Sequence, residues 1–256
     1  MSSKRGRRRQ TKPEDSTPAD SAIGADEVPP GYPYEWEADV VLSDGSVALL
    51  RPITPADGDR IREFHAGQSA ESIYLRFFAP LHELSDRDVH RFTVVDYDER
   101  VALVATHLDK IIGVGRYDKI NDTTAEVAFN VSDHYQGKGI GSILLEHLAL
   151  VGLEGGVTRF VAEVLPQNRK MINVFREAGY NVKHRLEDGV ISLSFDITPT
   201  TASTAVRFAR EHRSEAISVG GILTPRSVAV VGASRREFSI GHTFLKNLVA
   251  GGFAGR

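Results

Sequence analysis

Apolar and polar positions alternate in short runs through the middle of the chain, and the period of that alternation changes from segment to segment. Residues 38–42 and 47–51 are β-rich and flank Asp44-Gly45, a pattern that predicts a strand hairpin. Thr54-Pro55 then offers an N-cap with proline at the first helical position, and Ile61 and Phe64 follow at helical spacing. Two more short helices are expected over 69–78 and 85–94, each opened by a serine hydroxyl. The next runs, 101–107, 111–117 and 125–131, are separated by Leu108-Asp109-Lys110 and Asn121-Asp122 and predict a three-strand antiparallel meander. Ile140, Leu144, Leu148 and Val151 restore the helical period over 139–151. A strand over 159–165, a helix over 169–178 ending at Gly179, and a strand pair 181–186 and 190–196 around Asp188-Gly189 follow. The order predicts an α/β (α+β) fold with a mixed, mostly antiparallel sheet flanked by helices over about residues 38–197.

The flanks read differently. Residues 1–12 carry six bases and no acid, whereas 13–37 carry seven acids and no base, with prolines throughout and almost no apolar periodicity. Such a segment buries too little surface to offset its ordering entropy, so 1–33 is expected to be a disordered charged tail. Its basic cluster suits a nucleic acid or a membrane surface, but a solvated tail is the preferred reading, and neither is an expected partner. Residues 34–197 then form one domain, and 198–224 a linker containing a helix over 202–216. Beyond it, Ser227-Val228-Ala229-Val230-Val231 runs into Gly232-Ala233-Ser234 and a helix from Gly241 to about Ala250. That resembles the first β-α unit of a nucleotide-binding fold, although the full G-x-G-x-x-G fingerprint is missing. A single β-α unit cannot close a sheet, so 225–256 is expected to be the start of a truncated Rossmann-like domain.

Composition narrows the chemistry. The 256 residues carry a formal charge of −3, 41 % are hydrophobic and 25 % charged, as in an ordinary globular protein. The chain has no cysteine, which excludes disulfides, thiolate metal ligands and a covalent thiol intermediate. Neither a membrane-length apolar run nor a signal peptide is evident, so a cytoplasmic protein is expected. None of the nine histidines forms an H-x-x-x-H pair or another metal-ligand motif, so no metal is expected.

The most informative stretch joins strand 125–131 to helix 139–151. Gly137, Gly139 and Gly141 let successive backbone N–H groups curve into a concave nest, and the positive end of the helix dipole points to the same place. Lys138 adds a cation, and the combination suits a pyrophosphate. Period-two alternation puts Val127, Phe129 and Val131 on one strand face and Glu126, Ala128 and Asn130 on the other.

Gln136-x-x-Gly139-x-Gly141 in this setting resembles the acetyl-CoA-binding motif of the GNAT superfamily of N-acetyltransferases. Leu165-Pro166-Gln167-Asn168, followed by Met171, Val174, Phe175 and Ala178-Gly179-Tyr180, is similar to that superfamily's second CoA-side motif. Ser69-x-Glu71-Ser72-x-Tyr74-Leu75-Arg76-Phe77-Phe78 and Val95-Asp96-Tyr97-Asp98-Glu99-Arg100, with the stub at 225–234, resemble the bacterial Pat-type protein lysine acetyltransferases. In that group the acetyltransferase is fused to a region like the CoA-binding part of acyl-CoA synthetases.

The resemblance implies acetyl-CoA as co-substrate and a protein lysine as acceptor, with acyl-CoA synthetases as the expected substrate class. Glu126 is the implied general base. Val131, Gln136, Gly137, Lys138, Gly139, Ile140, Gly141 and Ser142 are the implied cofactor-binding residues. Asn168 matches a pantetheine-binding position and is equally suited to cap the helix after it, while Arg169 and Lys170 are candidates for the 3′-phosphate. Phe175 stands where many relatives have a tyrosine general acid, so either the thiolate leaves unassisted or another group protonates it; Tyr97, Tyr135 and Tyr180 are conceivable acids but are expected in core or rim. Arg76-Phe77-Phe78 is expected to be packing and a substrate-side wall. Two other functions stay open: acetylation of a small amine, for which Asp96, Asp98 and Glu99 offer an acidic pocket, and a non-catalytic CoA-sensing module.

Overall fold

The computed structural model describes residues 28–253 and 255. Eight strands form one sheet: β1 (Ala38–Val41), β2 (Val47–Pro52), β3 (Arg100–His107), β4 (Lys110–Asn121), β5 (Thr124–Val131), β6 (Arg159–Val164), β7 (Lys183–Glu187) and β8 (Val190–Asp196). Their order is β1-β2-β3-β4-β5-β6-β8-β7, and every neighbouring pair is antiparallel except β5 and β6. β4 outlasts its expected apolar run because pairing with β5 continues down to the tight turn at Asn121 and Thr124.

Helices cover both faces. α1 (Gly58–Ala66), α2 (Ala70–Phe77) and α3 (Asp86–Thr93) lie on one side, where Ile53, Ile61, Leu84 and Val89 pack on Ala102, Val104 and Ile111. The hydroxyl of Ser69 caps α2 through the amide of Ser72, and Ser85 caps α3 through that of Asp88. α4 (Ile140–Glu154) and α5 (Arg169–Glu177) lie on the other side, over Leu103, Val127, Phe129 and Phe160. Covered on both faces, β3 is apolar almost throughout, whereas β5 alternates, with Ala125, Val127 and Phe129 buried.

Two glycines set how closely α4 approaches. A Cβ at Gly113 of β4 would stand 2.6 Å from Ile140 Cγ2, and one at Gly115 would stand 3.1 Å from both Leu144 Cβ and Leu148 Cδ1. The absence of side chains there lets the start of α4 settle against the sheet beside the end of β5.

The flanks depart from expectation. Residues 1–27 of the expected tail lie outside the described residues, but order begins before residue 34. Tyr32 is buried, donates to Glu37 Oε1 at 2.8 Å and packs edge-on against Tyr97. The helix expected over 202–216 forms and runs longer. α6 (Thr201–Leu223) docks through Arg210 Nη2 on Glu146 Oε2 of α4 at 2.5 Å and through Thr200 Oγ1 donating to Gly179 O at 3.1 Å. Gly179 has φ +79, and a Cβ there would stand 2.7 Å from Ser203 Cα.

The strand expected over 227–231 does not form. An extended segment becomes a strand only by pairing, and no described strand lies beside it; Val231 is almost fully exposed. The helix expected after it does form, as α7 (Ile240–Ala250), capped by Ser239. Among the described residues no helix is long and apolar enough to cross a membrane.

Gly113→Ala tests the seating of α4. It should lower stability by about 1–3 kcal/mol through overpacking, read from the denaturation midpoint in urea. An unchanged midpoint would show that β4 and Ile140 have room to spare.

Candidate active site

Parallel pairing between β5 and β6 lasts for three residue pairs, Thr124–Arg159, Ala125–Phe160 and Glu126–Val161. Beyond Glu126 each strand stays with its other neighbour, β5 with β4 as far as Val131 and β6 with β8 as far as Val164. The strands part, and the edge of β5 facing the gap is left without a sheet partner over its second half.

A cleft of about 860 Å³ runs from that gap to the start of α4. Gly137 and Gly139 have φ of +79 and +84, conformations that carry no steric penalty only for glycine, and open space surrounds both. Ser43 takes up the loop's outward carbonyls, its amide donating to Lys138 O at 3.1 Å and its hydroxyl to Gly137 O at 3.4 Å. The first amides of α4, at Ile140, Gly141 and Ser142, have no partner within the helix. Gly141 also lets α5 come close, since a Cβ there would meet Val174 Cγ2 at 3.3 Å. The result is a cradle of N–H donors at a helix N-terminus.

Val131, Gln136, Gly137, Gly139, Ile140, Gly141, Ser142 and Asn168 all line this cleft. Lys138 does not. Its ammonium lies 2.8 Å from Asp44 Oδ2 and 4.6 Å from the centre of the Tyr135 ring. Hydrogen bonding to that ammonium holds the Asp44 carboxyl well below the usual range and raises Lys138 in turn.

Gln136 is a bridge. Its Nε2 donates to Asp133 Oδ1 at 2.9 Å and to Ser72 Oγ at 3.3 Å, and its Oε1 accepts from Lys170 Nζ at 2.7 Å. Asp133 also accepts from the Ser69 amide at 2.7 Å and the Ser72 hydroxyl at 2.5 Å. These bonds tie the loop to the first turn of α2 and to α5. Burial opposes ionisation of Asp133, but the donors from Ser72 and Ser69 outweigh it and its carboxyl titrates below the ordinary value. Asn168 Oδ1 accepts from the Met171 amide at 3.2 Å, so it caps α5, and the residue also lines the same cleft.

Glu126 is exposed on the opposite face of β5, at the last paired position before the strands part. Its carboxylate has no ion pair or hydrogen bond among the described residues. The carboxylate across the ladder, Asp118, is occupied by Arg116 at 2.7 Å and Arg100 at 2.6 Å. The acidic trio near this end is occupied too. Asp96 accepts from the amides of Asp98 and Arg100, and Asp98 and Glu99 pair with Lys119 at 2.6 and 3.5 Å. The Asp98 and Glu99 side chains stay largely exposed and share one ammonium, so the trio keeps a net negative charge.

Phe175 is buried between Phe129 and Phe195, with ring centres 5.8 and 5.6 Å away. Tyr97 donates to Ile53 O at 2.8 Å, and burial pushes its hydroxyl up to about 12; Tyr180 stacks on Phe195. Tyr135 lines the cleft under Lys138. Among the described residues no group of three His, Asp or Glu side chains is arranged to hold a metal ion.

A sequence profile described as the Acetyltransferase (GNAT) family matches residues 68–180. The crystal structure of the GNAT domain of S. lividans PAT is 52 % identical, covers 64 % of this chain and 99 % of that domain, and superimposes with a TM-score of 0.62. The chain belongs to the GNAT acetyltransferase family. Acetyltransferase Pat of Mycolicibacterium smegmatis is 34 % identical over 164 residues, 62 % of this chain and 49 % of that protein, so the chain spans about half of its length. The structure of yncA from Salmonella typhimurium, solved with its cofactor acetyl-CoA, shares the fold at 19 % identity and a TM-score of 0.50, covering 60 % of this chain and 96 % of that one.

The site residues that the motifs did not single out are those linking the loop to its surroundings: Asp133, Ser72 and Lys170 acting through Gln136. Ser72 stands in a quoted motif and Lys170 had another expected role, but neither carries a sequence signal for these contacts, which span 61 and 34 residues. The network gives a pH test for this GNAT domain. Asp133 has a lowered folded-state value, so the stability it adds is complete above the ordinary Asp value of about 4 and is lost as pH falls through the lower value. Asp133→Asn should flatten that part of the acid-unfolding curve and, at neutral pH, cost about 1–2 kcal/mol in thermal denaturation. Identical curves for the two proteins would contradict it.

Proposed function

We propose that this GNAT domain transfers an acetyl group from acetyl-CoA to a lysine ε-amine of a protein, with acyl-CoA synthetase-type enzymes as acceptors. The observation that carries the reading is a cleft that opens where β5 and β6 part and ends in a glycine cradle, with Glu126, whose carboxylate has no partner among the described residues, at the last paired position and on the strand face of cleft-lining Asn130. The cradle and the cleft fit a long thioester with a pyrophosphate, and yncA binds acetyl-CoA in the same fold. The similarity to PAT and Pat favours a protein acceptor.

In this reading the amides of Gly137–Ser142 would hold the pyrophosphate, the parted edge of β5 through Val131 the pantetheine, and the Asn168 amide a pantetheine carbonyl. Gln136 acts by fixing the loop, not by a free contact. A lysine amine with an unperturbed pKa of ~10.4 is almost wholly protonated at neutral pH, so it must lose a proton before it attacks. Glu126 takes that proton, directly or through water. The nitrogen bonds to the thioester carbonyl carbon, the developing oxyanion is met by backbone N–H donors, and the C–S bond breaks with its electron pair on sulfur. A thiolate with an ordinary pKa of ~8.5 leaves without a side-chain acid, consistent with phenylalanine at 175. With no cysteine in the chain, attack within a ternary complex replaces an acetyl-thiol enzyme.

Glu126→Gln should keep acetyl-CoA affinity while kcat falls by roughly 100-fold or more, as expected for loss of a general base. Near-normal turnover at saturating substrate would reject Glu126 as the base. The acceptor is tested with labelled acetyl-CoA and either a catalytically competent acetyl-CoA synthetase or a panel of amines. Label on a synthetase lysine is expected. Label confined to small amines, or tight CoA binding without transfer, would overturn the protein-acceptor reading.

A further inference from the structure

A second, smaller cavity of about 50 Å³ lies on the α1–α3 side of the sheet, walled by Phe64, Phe77, Phe92 and Leu84. It meets the long cleft at Arg76 and Asn130, which line both. Neither side chain has a hydrogen-bond partner among the described residues. Arg76 is singular in a further respect. The other arginines that are at least partly buried, Arg51, Arg62, Arg100, Arg116, Arg207 and Arg210, each have a carboxylate within 3.9 Å. Arg76 has none. Burial and the nearby Arg116 pull its guanidinium down to about 10, while Glu126 and Asp118 offset part of that cost from a distance.

An unpaired, partly buried cation is expensive unless something anionic completes it. Arg116 at this cavity is paired with Asp118, which leaves Arg76 as the cation without a carboxylate among the described residues; it repels a lysine ammonium, so the chamber suits the acyl side of the reaction and not the acceptor. Its rings favour methylenes, and its volume takes a group of a few non-hydrogen atoms.

We propose that the domain accepts short acyl-CoA thioesters that end in a carboxylate, succinyl-CoA being the type, with that carboxylate seated on Arg76 and Asn130. The inference rests on the thioester-transfer reading of the same site. The lysine nitrogen bonds to the thioester carbonyl carbon, the C–S bond breaks with its electron pair on sulfur, and the proton lost by the amine ends on the CoA thiol or in solvent. The remote carboxylate is unchanged, so a lysine cation becomes an amide carrying a negative charge.

The test is a pair of affinities measured by calorimetry with no acceptor present: succinyl-CoA against butyryl-CoA, a neutral thioester of the same chain length. The chain should bind succinyl-CoA roughly tenfold more tightly, the worth of one charged hydrogen-bonded pair. That preference should vanish in Arg76→Gln and survive in part in Arg76→Lys. Because the readout is a ratio within each protein, general damage from the substitution cancels. Equal or tighter binding of butyryl-CoA by the unaltered chain, or a preference that persists in Arg76→Gln, overturns the proposal. A retained succinyl preference with no acetyl transfer to any acceptor would fail the transferase reading alone. Failure to bind acetyl-, succinyl- and butyryl-CoA alike would overturn both.

Discussion

Three paired positions between β5 and β6 decide where the sheet opens into a cleft. Were the two strands to stay together, the sheet would be continuous and the backbone of β5 would be fully engaged. They part while each stays paired along its other edge, β5 with β4 and β6 with β8. The gap exposes a strip of backbone hydrogen-bonding groups beside the apolar packing of Phe129 on Phe175. Such groups are costly to bury without partners, so a ligand with amides of its own is the natural complement.

The cradle at the cleft's far end depends on the same sheet. Gly113 and Gly115 let α4 sit close to β4, which brings its N-terminus to the end of β5, and positive φ at Gly137 and Gly139 then turns the loop inward. Asp133 and Gln136 carry this geometry across to α2, whose last turn holds Arg76. One hydrogen-bonded network therefore joins the cradle to the helix that walls both the cleft and the apolar chamber.

Much of this was legible from residue order. Alternation in 125–131 placed Glu126 and Asn130 on one face and the core residues on the other, because a strand's period is fixed by its pleat. The serine caps of α2 and α3 and the glycine loop were equally readable, since each acts within a few residues of itself. What misled was information that needs a neighbour. Tyr32, in a proline-rich run, is ordered by rings that include Tyr97. Lys138 reads as a phosphate ligand beside its glycines, but Asp44, distant in sequence, takes its ammonium. The β-branched run ending at Val231 has strand character but no described strand beside it.

The sequence by itself therefore determined the elements, their order, the glycine cradle, the side of β5 on which Glu126 stands, and the exclusion of thiol chemistry. Those follow from local backbone preference, from periodicity and from which functional groups exist at all. Only the tertiary structure decided that β5 and β6 part after Glu126, that Gln136 is spent on bracing the loop, that Asp98 and Glu99 share Lys119, and that Arg76 has no carboxylate partner among the described residues. The physical reason is that hydrogen bonding and charge pairing are settled by what the folded chain brings within a few ångströms, and sequence separation carries no record of that distance.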